Sequence, residues 1–264
     1  MRKFLALTLA GAMVLTFAAC GKTKKTAEEV YAEAVAKTSA LNATQANMTM
    51  DMDMDMDMGG MSIGMKMDMV VKVKKADNKF EMATTGGTSI MGQDIDIETY
   101  YKDGYSYTNA MGAKMKQAMD LEAIAEQAES MTMNSAPVEY LENLAMTEAD
   151  GVTTLTYTIS KEKMKEYFDE AMQIAGESTI PEGVEMAFEL MNGTATVNKD
   201  GYITASTVDM VFNMAIEGQE VKAAVKADMT YVDPGQDFEI QFPEDLDDYI
   251  EIPTIADGEA SQAA

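Results

Sequence analysis

From Met48 to Met58 the chain places a methionine at every second position, with Thr49, Asp51, Asp53, Asp55 and Asp57 in the gaps. Successive side chains of a β-strand point to opposite faces, so this segment buries thioethers on one side and shows carboxylates on the other. On a helix the same residues would surround the axis and match no single environment. The pattern therefore demands a strand. Eleven residues at about 3.4 Å each make it about 37 Å long.

Its partner follows directly. Beyond Gly59-Gly60, the alternation resumes as Met61, Ile63, Met65, Met67, Met69, Val71 and Val73. A Gly-Gly pair suits a two-residue hairpin turn, whose central positions favour positive φ. Such a turn pairs Met58 with Met61, Met56 with Ile63, Met54 with Met65 and Met52 with Met67. Ten methionines, Met48 through Met69, then share one face, and Asp53 meets Lys66 on the other. A second ribbon repeats this logic. Val208, Met210, Phe212, Met214 and Ile216 alternate, as do Val221, Ala223, Val225, Ala227, Met229 and Tyr231 beyond Glu217-Gly218. A two-residue turn there pairs Met214 with Val221, Phe212 with Ala223 and Met210 with Val225. Asp209 then faces Lys226, a favourable cross-strand pair.

Shorter strands are expected at 79–84, 94–101, 105–109 and 152–159, with Val184 to Leu190 and Phe238 to Phe242 as further alternating runs. The tetrapeptide Lys-Asp-Gly-Tyr occurs at 102–105 and again at 199–202, a recurring hairpin signature. Helices are expected at 26–41, 121–131 and 161–175. The first opens on a capping box, Thr26 with Glu29, and carries Val30, Ala34, Thr38 and Leu41 as its apolar stripe. Ser160 caps the third, which presents Met164, Phe168, Ala171 and Ala175.

The chain begins with Arg2 and Lys3, an apolar stretch from Phe4 to Phe17, and Ala18-Ala19-Cys20. This is the plan of an export signal, too short for a membrane span. Small residues before a cysteine match a bacterial lipobox, in which that cysteine is diacylated and becomes the mature N-terminus. Residues 1–19 are thus read as signal peptide, Cys20 as the lipidation site and residues 20–25 as a lysine-bearing tether to an anionic membrane surface. Residues 26–252 form one domain, with no Pro-rich or Gly/Ser-rich linker inside it, and 253–264 an acidic, disordered tail.

Composition narrows the chemistry. Loss of residues 1–19 removes two basic residues and no acid, taking the formal charge from −25 to −27. That surface repels nucleic acid. The chain has no His, and Cys20 is its only cysteine. Imidazole-based acid–base chemistry, thiolate nucleophiles, intramolecular disulfides and ordinary zinc sites are all absent. The expectation is a non-enzyme with no cofactor and no catalytic residues. Two long antiparallel ribbons with shorter strands make an α+β, mainly antiparallel fold: a large curved sheet whose one apolar face must be covered, with two or three helices as lids.

The combination of lipobox, capped helix, Lys-Asp-Gly-Tyr hairpins, interrupting helix and closing meander resembles an uncharacterised family of lipoproteins from Gram-positive bacteria. That family is related in fold to Lol-type lipoprotein carriers and mycobacterial lipid-transfer lipoproteins. The stretches that carry the resemblance are Tyr100 to Met119 and Val197 to Tyr231. The resemblance implies an incomplete barrel, lidded by helices, that receives acyl chains; it transfers no catalytic residue.

Several readings of the methionine face compete. Flexible thioethers suit an apolar surface that repacks around different guests, and a lipid anchor holds the domain where such guests live. On that reading Met50, Met52, Met54, Met56, Met65, Met67, Met69, Met210, Phe212 and Met214 line a site for a lipid or other hydrophobic ligand. Alternatively the methionines fill a closed core, and the protein serves as a structural or interaction lipoprotein with protein partners unspecified. A lesser alternative is Cu(I) held by Met-x-Met thioethers, which are soft ligands. Against it, successive sulfurs along a strand start about 6.8 Å apart. The aspartate ladder imitates the start of an EF-hand loop, but a loop beginning at Asp51 has Met56 and Ser62 where Gly and Glu are required.

Overall fold

A computed structural model describes residues 25–56, 61–76, 79–120, 136–167, 185–216 and 219–253. The expected signal peptide, Cys20, Met58, both Gly-bearing ribbon turns, the helix expected at 121–131, the distal part of the one expected at 161–175 and the expected tail beyond 253 lie outside these residues.

The chain enters through α1 (Ala27–Ser39), capped as its sequence requires. Thr26 Oγ1 accepts from Glu29 N–H, and the Glu29 carboxylate accepts from Thr26 N–H. Among the described residues twelve strands follow: β1 (Ala43–Met56), β2 (Met61–Ala76), β3 (Lys79–Ile90), β4 (Gln93–Lys102), β5 (Tyr105–Ala110), β6 (Ala113–Ala118), β7 (Glu142–Ala149), β8 (Val152–Ser160), β9 (Glu185–Val197), β10 (Ile203–Ile216), β11 (Gln219–Tyr231) and β12 (Ile250–Glu251). A second helical segment, α2, occupies residues 161–167.

All twelve strands lie in one open sheet of order β12-β6-β5-β4-β3-β2-β1-β11-β10-β9-β8-β7. This is two antiparallel meanders, β1 to β6 and β7 to β11, sewn together along β1 and β11. Only β12 pairs in parallel, with β6. The molecule is an α+β, mainly antiparallel half-open barrel: the antiparallel sheet is what the alternation predicts, and the open barrel is what the family resemblance implies.

The second ribbon has the expected register: Met214 opposite Val221, Phe212 opposite Ala223, Met210 opposite Val225 and Asp209 opposite Lys226. The methionine ribbon does not. Met56 pairs with Met61, Met54 with Ile63, Met52 with Met65 and Met50 with Met67, two residues off the expectation. The connection itself, residues 57–60, lies outside the described residues. A two-residue slip leaves every side chain on its original face, so alternation alone cannot detect it. Lys66 accordingly meets Asp51 (3.3 Å) rather than Asp53.

The sheet has two distinguishable ends. At its lower end α1 finishes, β1 begins, and Lys75 N–H donates to Asn42 O. The upper end carries the connections after β1, β3, β5 and β10. Over the lower end, α1 packs its Tyr31, Ala34 and Thr38 onto Leu155, Tyr157, Ile159, Ala195, Val197, Ile203 and Val208, with Met164 of α2 completing the cluster. The buried stripe is thus centred on Tyr31, not on Val30 and Leu41. Thr38 Oγ1 accepts from Ile203 N–H (2.9 Å), and Tyr31 O–H donates to Ala136 O (2.9 Å). Gly193 makes room for this arrangement: a Cβ there would lie 2.1 Å from Cζ of Tyr157, whose ring stands edge-on to Tyr31. Gly86, at φ +155°, lets β2 and β3 approach so closely that a Cβ would lie 1.9 Å from Asp68 O.

The reverse face of β3 to β5 is also covered, against expectation. Phe238, Ile240 and Phe242 form no strand; they lie extended across Ala83, Tyr100 and Tyr107. This strap is fastened by Lys74, whose ammonium donates to Phe238 O (2.8 Å) and pairs with Asp237 (3.0 Å), and by the Lys114–Asp245 ion pair. Lys74 is held above the usual lysine range by its bond to Asp237, whose carboxyl is lowered in turn.

Candidate hydrophobic-ligand face

The upper part of the apolar face is built from four neighbouring strands. On β11, Ala223 stands between Met54 of β1 and Phe212 of β10, and Val225 between Met52 and Met210. Neighbouring strands lie about 4.8 Å apart, so the long side chains on each side lean over the short central ones. Ala223 is fully buried in consequence. The resulting cluster joins Phe212, Ala223 and Val225 to Met50, Met52, Met54, Met186, Phe188, Met210 and Met214. The rings of Phe188 and Phe212 tilt against each other at 6.0 Å between centroids. A bulge in β9 sets Leu190 opposite Val211 and returns Met191 to the row opposite Met210, which strict alternation from Met186 did not anticipate.

Of the ten residues proposed from sequence, Met50, Met52, Met54, Met210, Phe212 and Met214 meet in this one cluster. Met65, Met67 and Met69 lie on the same face one strand further out, opposite Met52, Met50 and Met48, and are half-buried. Met56 continues the row, opposite Val221 and Met61 in backbone register; its side chain lies outside what is described. Met186 and Phe188 were both placed in an alternating run by sequence but not assigned to the site, since the bulge obscures the register of β9.

The charge is all on the other face. There Asp51 and Asp209 flank Lys226, and Glu189 pairs with Lys222 (3.4 Å). A depression of about 630 Å³ opens on that side, floored by Gly64, Val211 and Ala224. A larger one, about 1170 Å³, lies at the lower end between α1 and the β2–β3 hairpin, where Lys74, Lys75, Lys79 and Phe80 line it. Among the described residues no group of three or more His, Cys, Asp or Glu is placed to hold a metal ion. No described helix is long and apolar enough to cross a membrane.

The most strongly perturbed ionisable groups described on the apolar side are phenols packed between α1 and the sheet. Burial pushes Tyr231 up to about 12, and burial, reinforced by Tyr157, drives Tyr31 well above the ordinary tyrosine range. Both are neutral at any physiological pH. They pack, and they do no acid–base work.

An open antiparallel half-barrel with one charged and one thioether-lined face is the class of protein defined by this geometry. The chain belongs to DUF6612, a family of unknown function, whose profile matches residues 26–249. Similar solved structures include LprF from Mycobacterium bovis (12% identity, covering 82% of this chain and 96% of that one, TM-score 0.41). Others are a DUF1329 family protein from Desulfovibrio piger (6% identity, 80% and 93% covered, TM-score 0.28) and the ywiB protein from Bacillus subtilis (9% identity, 70% and 92% covered, TM-score 0.22). No curated protein matches the sequence.

Proposed function

We propose that this protein is a lipid-anchored, extracytoplasmic binder or carrier of a lipid or other hydrophobic molecule, held against the upper, methionine-lined part of the sheet. The observation that carries the reading is the cluster around Phe212. Six thioethers of three strands and two phenyl rings converge around short residues of β11, with no charged side chain in the cluster among the described residues. Unbranched thioethers adopt many shapes at little cost and so accommodate guests of varied outline. The lipobox ending at Cys20 supports the same reading by tethering the domain within reach of acyl chains. The proposed activity is non-catalytic: apolar surface passes from water or bilayer to the protein, at roughly 25 cal/mol per Å² buried.

Two experiments test the two halves. Metabolic labelling with a fatty acid tags the intact chain and is abolished by Cys20→Ala. Native mass spectrometry of protein extracted from membranes in mild detergent shows a bound lipid mass. The adduct diminishes in Met52→Glu and Phe212→Glu variants whose circular dichroism remains native. Protein that carries no adduct and extracts none from phosphatidylcholine vesicles contradicts ligand binding and favours a closed structural core.

A further inference from the structure

Among the described residues, the X-Gly hairpin turns of this sheet differ in chemistry between its two ends. At the lower end they read Asp103-Gly104, Asp150-Gly151 and Asp200-Gly201. At the upper end, those after β3 and β5 read Met91-Gly92 and Met111-Gly112. All four described X-Gly turns with a non-glycine first residue at positive φ have the same backbone: φ is 52° or 53° at Asp103, Asp150, Met91 and Met111, and 77° to 85° at the following glycine. That conformation is tolerated by Asp and Asn, whose short polar side chains bond locally, and is unfavourable for an unbranched apolar residue. Every other described non-glycine residue at positive φ, namely Asn143 and Asp233, obeys the rule. The two methionines are the exceptions. Nor are they packed: Met91 is 71% and Met111 79% exposed, with half-exposed Ile90 beside the first. Folding therefore explains neither their identity nor their position.

Their backbones are nonetheless fixed. Met91 N–H donates to Gly64 O and Met111 N–H to Asp96 O, so each turn is tied to a neighbouring strand while its side chain projects. Both stand at the end of the sheet where the methionine cluster lies. α1 points the same way: Thr38 near its C-terminus bonds to Ile203 at the lower start of β10, whereas Tyr31 packs on Tyr157, alongside Gly193 and Val208 further up. The N-terminus of α1 is thus directed toward the upper end. Six residues, Cys20 to Lys25, precede Thr26, with an extended reach of about 20 Å.

We infer that the upper rim is a membrane-entry edge: Met91 and Met111 dip into the headgroup–acyl boundary of the bilayer and hold the mouth of the methionine-lined face against it. This rests on the lipid-anchor half of the proposed function and adds an orientation and a docking surface. Two thioether tips give shallow, reversible contact of the kind that needs a second anchor to persist. The exposed carboxylates of Asp94 and Asp96 flank the tips and oppose an anionic surface. Rim entry is accordingly deeper on phosphatidylcholine vesicles than on vesicles containing phosphatidylglycerol, and added salt narrows the gap.

The chain lacks tryptophan, so single substitutions make clean reporters. In the full lipidated chain on phosphatidylcholine vesicles, Met91→Trp and Met111→Trp shift their emission to shorter wavelength. Both are quenched by brominated lipid, whereas Asp103→Trp at the opposite end keeps a water-exposed spectrum. Where a tryptophan turn fails to fold, Met91→Cys or Met111→Cys carrying a solvatochromic dye replaces it, Cys20 being acylated. A chain that floats with vesicles while both tips stay in water overturns the rim and spares the anchor. Tips that respond in a Cys20→Ala chain support the rim and count against the anchor's necessity. Tips that lose water equally without vesicles, through self-association, overturn the membrane assignment.

Discussion

The lower and upper parts of the apolar face obey the same alternation and are built from different residues. Beneath α1 the sheet offers Leu155, Ile159, Tyr157, Val197 and Ile203, all nearly or completely buried. Their branched and aromatic side chains have few rotamers, and Tyr157 fits over Gly193 so closely that no methyl group can be added. At the upper end β1 offers Met50, Met52 and Met54, half-buried and flexible, around Phe212. One region specifies a single packed arrangement. The other specifies an apolar surface without fixing its shape, and it is on this second region that the proposed binding rests.

Truncation separates the two most strongly. Leu155→Ala is expected to cost about 3–4 kcal/mol, since a fully buried leucine leaves a cavity that the stiff surroundings cannot fill. Met52→Ala, from a half-buried thioether whose neighbours can flow inward, is expected to cost about 1 kcal/mol. Urea titration with an unchanged slope reads both; equal costs would erase the distinction. Next in size, Tyr31→Phe strands Ala136 O and is expected to cost about 1–2 kcal/mol. Removal of the helix cap by Thr26→Ala is worth about 1 kcal/mol, read in the same titration.

The buried phenols give a pH signature confined to the lower region. Tyr231, pushed up to about 12, and Tyr31, raised further, are neutral in the folded chain and ionise near 10 when it unfolds. Their stabilisation is complete below pH 10 and is lost as pH rises from 10 through about 12. Thermal unfolding should therefore fall off above pH 10, with a shallower decline in Tyr231→Phe. Smallest of all, Met52→Leu conserves volume and should alter stability by less than about 1 kcal/mol, while narrowing the range of ligands accepted.

Much of this was legible because alternation is a strong signal. The β10–β11 register was readable to the residue, since Glu217-Gly218 admits one turn length that keeps Asp209 opposite Lys226. The capping box fixed the start of α1. The methionine register was not readable: its repeat unit is two residues, so a two-residue slip produces an equivalent face. β6 and β7 escaped because Ala113–Ala118 and Glu142–Ala149 lie at or near the sheet edges, largely exposed and without a clear apolar phase. The strap of Phe238, Ile240 and Phe242 alternates like a strand but pairs through side chains, a difference that sequence does not encode. Within the site, the methionines of β1 and β10 were identified from phase alone, whereas Met186 required the bulge to be seen.

The most direct test of the central claim is methyl NMR of the protein labelled at the methionine ε-carbons, titrated with a phospholipid below its aggregation concentration. Lipid held on the upper face shifts the methyls of Met50, Met52, Met54, Met210 and Met214, and leaves those of Met82 and Met164, buried in the lower clusters, in place. Unchanged upper methyls, or shifts confined to Met82 and Met164, would contradict the account.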